Sequence, residues 1–470
     1  MPKNKCDISV DFLERCSKKF KTNPSNVALR NTITSVGTIP VSTDSNVVND
    51  VSHVFLNSIK KKNLKATNQG HSGRCWMFAG LNMLRHSVIN GMGIDNFEFS
   101  ETYLFFYDKL ERANTFLKWF IDNPGFNPGE REFDYQLAFN MQDGGWFNCF
   151  TNLVNKYGLV PKNAMKETAN SEYSEDMNKI MKEKLHSAVN WFRKHPDADL
   201  EKKRREVLSD IYRLLVLFLG EPPKHFKWDF TLDDEEHTTT ILAGITPLKF
   251  KETVTPNLDL QEDFVNIANL PIQDRLEYKK LYKIKETSNI YGGKCSTILN
   301  MHIDDLAKFA KKSILSGFPV WFSADVMQDL HPWYSTLDDN LVNHKQIFGN
   351  VQGGYNKGSR IEMQTTQASH AMTLTGVNLD EKGNPINWQV ENSWGYFDNE
   401  TPGEDGWFTM SHSWFKKYVM EVVVHKNYLN NSTRKLLEQE PIQLDPWDNI
   451  APAIRVGCVD APKNLWKNKK

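Results

Sequence analysis

The chain has 470 residues, 40% hydrophobic and 24% charged, a balance that supports a substantial core and excludes disorder over most of its length. A formal net charge of -1 supplies no global attraction to nucleic acid or an acidic membrane. The opening MPKNKCDISVDFLERC lacks the apolar core of a secretory signal, and the longest purely apolar run, Leu214 to Leu219, is far short of the roughly 20 residues a spanning helix needs.

Six cysteines, at positions 6, 16, 75, 149, 295 and 458, form no CxxC pair, which argues against a disulfide scaffold and against zinc. No metal, no cofactor and no membrane partner is therefore expected, and a reducing cytosol is the natural location. The basic runs Lys60-Lys61-Lys62 and Lys202-Lys203-Arg204-Arg205 read as solvated faces, so specific nucleic-acid binding is not expected.

In chain order, residues 1–60 form an N-terminal extension with a hook-like character, and 61–161 a helical half. Within the latter, Asn68-Gln69-Gly70-His71-Ser72-Gly73-Arg74 is a polar loop running into CWMFAGLNMLRHSVIN (75–90), apolar on almost every helical face and stopped by Gly91 and Gly93. The stretch NPGFNPG (123–129) reads as loop, and Asp143-Gly144-Gly145-Trp146 as a tight turn.

From 162 to 290 the texture becomes that of long charged helices, a helical insertion. Met177, Ile180, Met181, Leu185, Ala188, Val189 and Phe192 keep three-and-four spacing after acidic Glu175 and Asp176. A second helix carries Leu200, Val207, Leu208, Ile211, Leu215 and Phe218 between a cap at Asp199 and Gly220. Residues 291–436 begin with a helix near 304–315 and then read as strands at 318–326, 370–377, 387–392 and 406–411, in a mixed or antiparallel sheet. Residues 437–470 form a C-terminal arm and tail.

Two polar residues interrupt apolar strand faces: His370 beside Met372 and Leu374, and Asn392 beside Trp388 and Val390. Buried polar groups need partners, and these two can supply one another. Cys75 at a helix start is a candidate thiolate, since the helix N-terminus and a neighbouring imidazolium both favour the anion. Gln69 can aim its amide at a developing oxyanion together with the backbone N–H of Cys75. A structural cysteine, a core histidine and a turn asparagine are the bland alternatives for each residue taken singly.

Taken jointly, Gln69, Cys75-Trp76, Ser369-His370-Ala371 and Glu391-Asn392-Ser393-Trp394-Gly395 resemble the signatures of the papain superfamily, in its chain order of Cys, His, Asn. The fold this implies is α+β, a papain-like cysteine peptidase with a large helical insertion and a C-terminal arm. The resemblance implies Cys75 as nucleophile, His370 as acid/base, Asn392 as the residue that orients it, Gln69 at the oxyanion, and Trp394 as a shield over the His/Asn contact. Gly144, Gly145 and Trp76 would line the substrate cleft.

Two departures narrow the branch. Cys75 and His370 are 370 − 75 = 295 residues apart, far more than in papain itself, and Ser72-Gly73-Arg74-Cys75 lacks the cysteine that would form a local disulfide. These features, with Leu219-Gly220-Glu221-Pro222-Pro223, Ile245-Thr246-Pro247-Leu248, Val320-Trp321-Phe322 and Glu438-Gln439-Glu440-Pro441-Ile442, resemble the bleomycin hydrolase and aminopeptidase C branch. That resemblance implies a homohexamer with internal active sites, and an aminopeptidase for peptides that also hydrolyses bleomycin and homocysteine thiolactone. A thiol acyltransferase and a structural hexamer with a vestigial site are the competing readings; Asn rather than Asp at 392 and the intact residue set favour hydrolysis.

The tail departs from that branch. Past Leu444-Asp445-Pro446-Trp447-Asp448 the sequence runs another 470 − 448 = 22 residues to Lys470. The branch places its terminal carboxylate in the cleft, so self-trimming near Ala451 to Ala453 is expected here.

Overall fold

The computed structural model describes residues 7–60, 64–139, 141–233, 238–272, 274–351, 354–395, 406–448 and 450–456. Lys61 and Lys62 of the first basic run, Cys6, Cys458 and the tail from 457 onward lie outside them.

The described chain opens with α1 (Val10–Lys21), capped by Ser9, which accepts the Phe12 N–H. No residue of α1 is buried, and Ile8, Val10, Phe12 and Leu13 are exposed. The helix α2 (Cys75–Met92) is its opposite: residues from Cys75 through His86 are all buried. It stops where Gly93 turns left-handed at φ 64° and returns its N–H to Ile89, a conformation with little cost for glycine. Next come α3 (Glu101–Asp122), capped by Ser100, and α4 (Phe147–Tyr157).

The amphipathic helices expected in the insertion are α5 (Glu175–Lys194) and α6 (Leu200–Leu219). Met177, Met181, Leu185, Ala188, Val189 and Phe192 are the buried stripe of α5, and Asp199 caps α6 by accepting the Lys202 N–H. The helical texture does not continue to 290. A hairpin of β1 (Phe226–Thr231) and β2 (Thr239–Ile245) follows, and then β3 (Phe264–Ala268) and β4 (Lys280–Ile284) enter the main sheet. These short strands, with isolated turns between them, carry too few residues for a period to show.

Of the elements that follow, those that build the sheet and flank the site are β5 (Thr297–Asn300), α7 (Ile303–Leu315), β6 (Val320–Ala324), β7 (His370–Leu379), β8 (Pro385–Glu391), β9 (Trp407–Ser411), β10 (Val419–His425), β11 (Ile442–Leu444) and α8 (Ile450–Ile454). Among the described residues the sheet has twelve strands, running β11-β4-β5-β3-β10-β6-β7-β8-β9 before two short strands at its edge, with the two-residue strand Asn57–Ser58 paired to β7 off this path. The fold is thus a mixed α+β arrangement. Side chains alternate across it: Trp321, Ala371 and Val423 pack on the α2 side, while Phe322, Met372, Leu374, Val390 and Val422 pack with Leu306 and Phe309 of α7.

Candidate active site

Two hydrogen bonds fix α2 on the sheet. Thr373 Oγ1 donates to the Ala79 carbonyl at 3.0 Å, and Trp321 Nε1 donates to the Trp76 carbonyl at 3.0 Å. Ala79 lies one helical turn beyond Cys75, and Thr373 three residues beyond His370. The two bonds therefore tie the first turns of the helix that begins with Cys75 to the strand that begins with His370 and to its neighbour.

His370 is fully buried at the start of β7, and its Nε2 meets Asn392 Oδ1 at 2.7 Å. Asn392 follows the last residue of β8, and the same Oδ1 accepts the Ser393 N–H at 2.7 Å. An oxygen acceptor at Nε2 fixes that nitrogen as N–H, so Nδ1 carries the lone pair available to a thiol. Burial pushes the imidazole pKa down to about 4 against the opposing Asn392 hydrogen bond, so the ring is neutral at neutral pH and able to accept a proton. The Trp394 ring covers it, with centroids 4.9 Å apart.

Gln69 is held from both ends of its amide. Its Oε1 accepts from Ser393 Oγ at 2.6 Å, and its Nε2 donates to the Ser72 carbonyl at 2.6 Å. One N–H of Nε2 remains for an oxyanion. The loop between Gln69 and Cys75 is itself anchored: Gly73 N–H reaches Asp143 Oδ2 at 3.2 Å, and Arg74 pairs with Glu167 at 2.8 Å. Burial opposes ionisation of Glu167, yet Arg74 and Lys162 bring its pKa down to about 2.

Asp143 is a hub that sequence reasoning took only as part of a turn. Its carboxylate receives Lys109 Nζ at 2.6 Å, Asn178 Nδ2 at 2.7 Å and the Ser174 hydroxyl, and its backbone carbonyl receives Trp76 Nε1 at 2.7 Å. Burial again opposes the charge, and Lys109, Ser174 and Asn178 together outweigh it, holding the carboxyl at about 2.

Trp76 is fully buried and lies behind the glycine pair rather than on a cleft surface: a Cβ on Gly145 would come within 2.8 Å of its indole. Gly145 must therefore lack a side chain for the backbone to rest on that ring. Gly144 gives its carbonyl to Arg112 at 2.9 Å. The opposite edge of Gly145 is taken by the chain itself. Val456 forms an antiparallel bridge with it, and Arg455 stacks over Trp146 at 5.5 Å. Self-trimming at 451–453 meets an obstacle, because those residues lie in α8, whose Ile450, Ala451 and Ile454 are buried. A cleft that cleaves extended backbone has no access to a packed helix.

Among the described residues no cluster of His, Cys, Asp or Glu could hold a metal, and no helix is long and apolar enough to cross a membrane.

Sequence and structure comparisons show what the chain is similar to. The profile of the Peptidase C1-like family matches residues 7–451. Aminopeptidase G of Lactobacillus delbrueckii subsp. lactis is 34% identical, over 95% of this chain and 99% of its own. Bleomycin hydrolase of Rattus norvegicus is 33% identical, over 95% and 98%. The crystal structure of PepW from Lactobacillus rhamnosis HN001 superposes with a TM-score of 0.88 at 31% identity, covering 95% of this chain and 99% of that one.

Proposed function

The chain belongs to the Peptidase C1-like family, in the branch of aminopeptidase C and bleomycin hydrolase, and from that premise we propose that it is a cysteine aminopeptidase. The observation that carries the chemistry is the 2.7 Å contact of His370 with Asn392, on a strand that Thr373 ties to the helix beginning with Cys75. His370 Nδ1 takes the thiol proton, and the sulfur attacks the carbonyl carbon of the first peptide bond. The Cys75 N–H and the remaining N–H of Gln69 stabilise the oxyanion. As the intermediate collapses, His370 returns the proton to the leaving amine. A water deprotonated by the same ring then hydrolyses the thioester.

Exopeptidase action is supported by Val456 on the Gly145 edge. A long substrate would lay its residues before the scissile bond along that edge, so only peptides that begin near the bond escape the contest. Homocysteine thiolactone fits the same chemistry, being a small cyclic thioester with a free amine beside its carbonyl. Hydrolysis of bleomycin is proposed on the relatives' name alone.

The exposed apolar residues of α1 support assembly with further copies, and a homohexamer is the state we propose. A reducing cytosol suits the unbridged Cys16, Cys75, Cys149 and Cys295. An aminoacyl fluorogenic substrate tests the reading: turnover should disappear when the thiol is alkylated. Unchanged turnover after complete alkylation of Cys75 would overturn it.

A further inference from the structure

Glu391 is the last residue of β8, fully buried, and directly precedes Asn392. A buried carboxylate is tolerated only where donors meet its oxygens. Both oxygens are met here by consecutive residues of α2. Arg85 Nη2 donates to Oε1, and His86 Nε2 donates to Oε2 at 2.7 Å. Arg85 also donates to the Lys65 carbonyl at 2.9 Å, in the segment that leads to Gln69. His86 Nδ1 has no hydrogen-bond partner, and the Trp407 ring is set edge-on 6.4 Å away.

Beyond the Oδ1 contacts with His370 and the Ser393 N–H, little else holds the Asn392 side chain. The strand has ended, its backbone N–H reaches Gly406 at 3.2 Å, and its Nδ2 is buried without a partner. Adjacent side chains leave a strand on opposite faces, so Glu391 points back to α2 while Asn392 turns toward His370. Apolar packing alone would let the strand end slide along the helix, whereas a carboxylate shared by two donors holds one register. The geometry points to Arg85, Glu391 and His86 as a positioning clasp that sets Asn392, and through it the His370 ring, relative to the helix that begins with Cys75. None of the three touches the reacting atoms. The inference rests on the proposed role of Asn392 in peptide hydrolysis.

The test is a mutant cycle read by kcat and KM on an aminoacyl substrate, with reactive-thiol titration to count folded sites. Glu391→Gln should lower kcat per reactive thiol about tenfold with KM changed less than about twofold, and should add almost nothing to Asn392→Ala. His86→Gln should act in the same direction, by about threefold, and vanish in the same background. If Glu391→Gln does not fold, the His86→Gln cycle decides alone. Losses that multiply fully with Asn392→Ala, a raised KM at unchanged kcat, or wild-type kcat in the variant that folds would each overturn the clasp. An Asn392→Ala enzyme with wild-type kcat would instead overturn the role of Asn392 itself.

Discussion

Val456 donates its backbone N–H to the carbonyl oxygen of Gly145 across 3.3 Å, so the chain's own C-terminal segment lies along the glycine edge. Ending the chain at Asp448 should clear that edge. The truncated enzyme is expected to cut N-acetylated peptides at internal bonds, which the full chain leaves intact. Mass spectrometry of the products decides it. A folded, truncated enzyme that still refuses blocked peptides would show that another element restricts the cleft.

Cys75→Ala should lower turnover by about three orders of magnitude or more while leaving the circular dichroism spectrum unchanged, because the thiol carries the chemistry and little of the packing. Asn392→Ala should cost less, since it removes orientation and not the nucleophile. Intact masses of the same proteins test self-trimming: any shortening of the wild-type tail should begin beyond Val456, not at 451–453, and should be missing from Cys75→Ala. Equal tails in the two would end the idea of self-trimming.

Acid should silence the enzyme as His370 protonates. Its folded pKa of about 4 lies below the ordinary value of 6.5, so the unfolded chain binds the extra proton first. The neutral ring accepts the thiol proton above about 4, and activity falls as pH drops through that value. Stability follows the same sign, declining as pH falls from 6.5 toward 4. A pH–rate profile and denaturation midpoints across this window check both; an acid limb near 6.5 would contradict the buried, neutral ring.

Asp143→Ala should destabilise the protein by about 3–5 kcal/mol, because it strands Lys109 as a buried, unpaired charge. Activity per folded molecule should fall too, since Gly73 loses the acceptor that anchors the nucleophile loop. Urea denaturation gives the first quantity, and turnover per titrated thiol the second. A loss of stability with full activity would mean that the loop keeps its shape without Asp143.

Glu421 makes the opposite kind of prediction. Burial raises its carboxyl pKa to about 8 against the Asn266 hydrogen bond, and its Oε2 has no partner. The folded state thus holds a proton that the unfolded state releases, and ionising it costs stability as pH rises from 4.5 through 8. Glu421→Gln keeps the Asn266 contact and cannot ionise. Its melting temperature should exceed that of wild type by about 1–3 °C at pH 8, with the gap closing near pH 5.

Long periodic elements were legible in the sequence. The buried stripe of α5, the Asp199 cap of α6 and the all-round apolar α2 follow from spacing over three or more turns. His370 and Asn392 could be read because each breaks an apolar face and the other is the partner it needs. Short strands in the 226–284 region were not legible, since five to seven residues among charged neighbours carry no decisive period. Asp143, Lys109, Glu391 and Arg85 were hidden for a different reason: each is joined to a partner distant in sequence, and a charge alone does not say which opposite charge it will meet.

The burial of those charges has a consequence for the enzyme in brine. Mobile ions screen interactions between exposed groups beyond about 8 Å at physiological ionic strength, but they cannot enter the space between Lys109 and Asp143 or between Arg85 and Glu391. The ion pair of Lys184 with Asp210, between the outer faces of α5 and α6, stands in water and is open to screening. High salt should therefore loosen the periphery first, while the groups around the thiol keep their spacing.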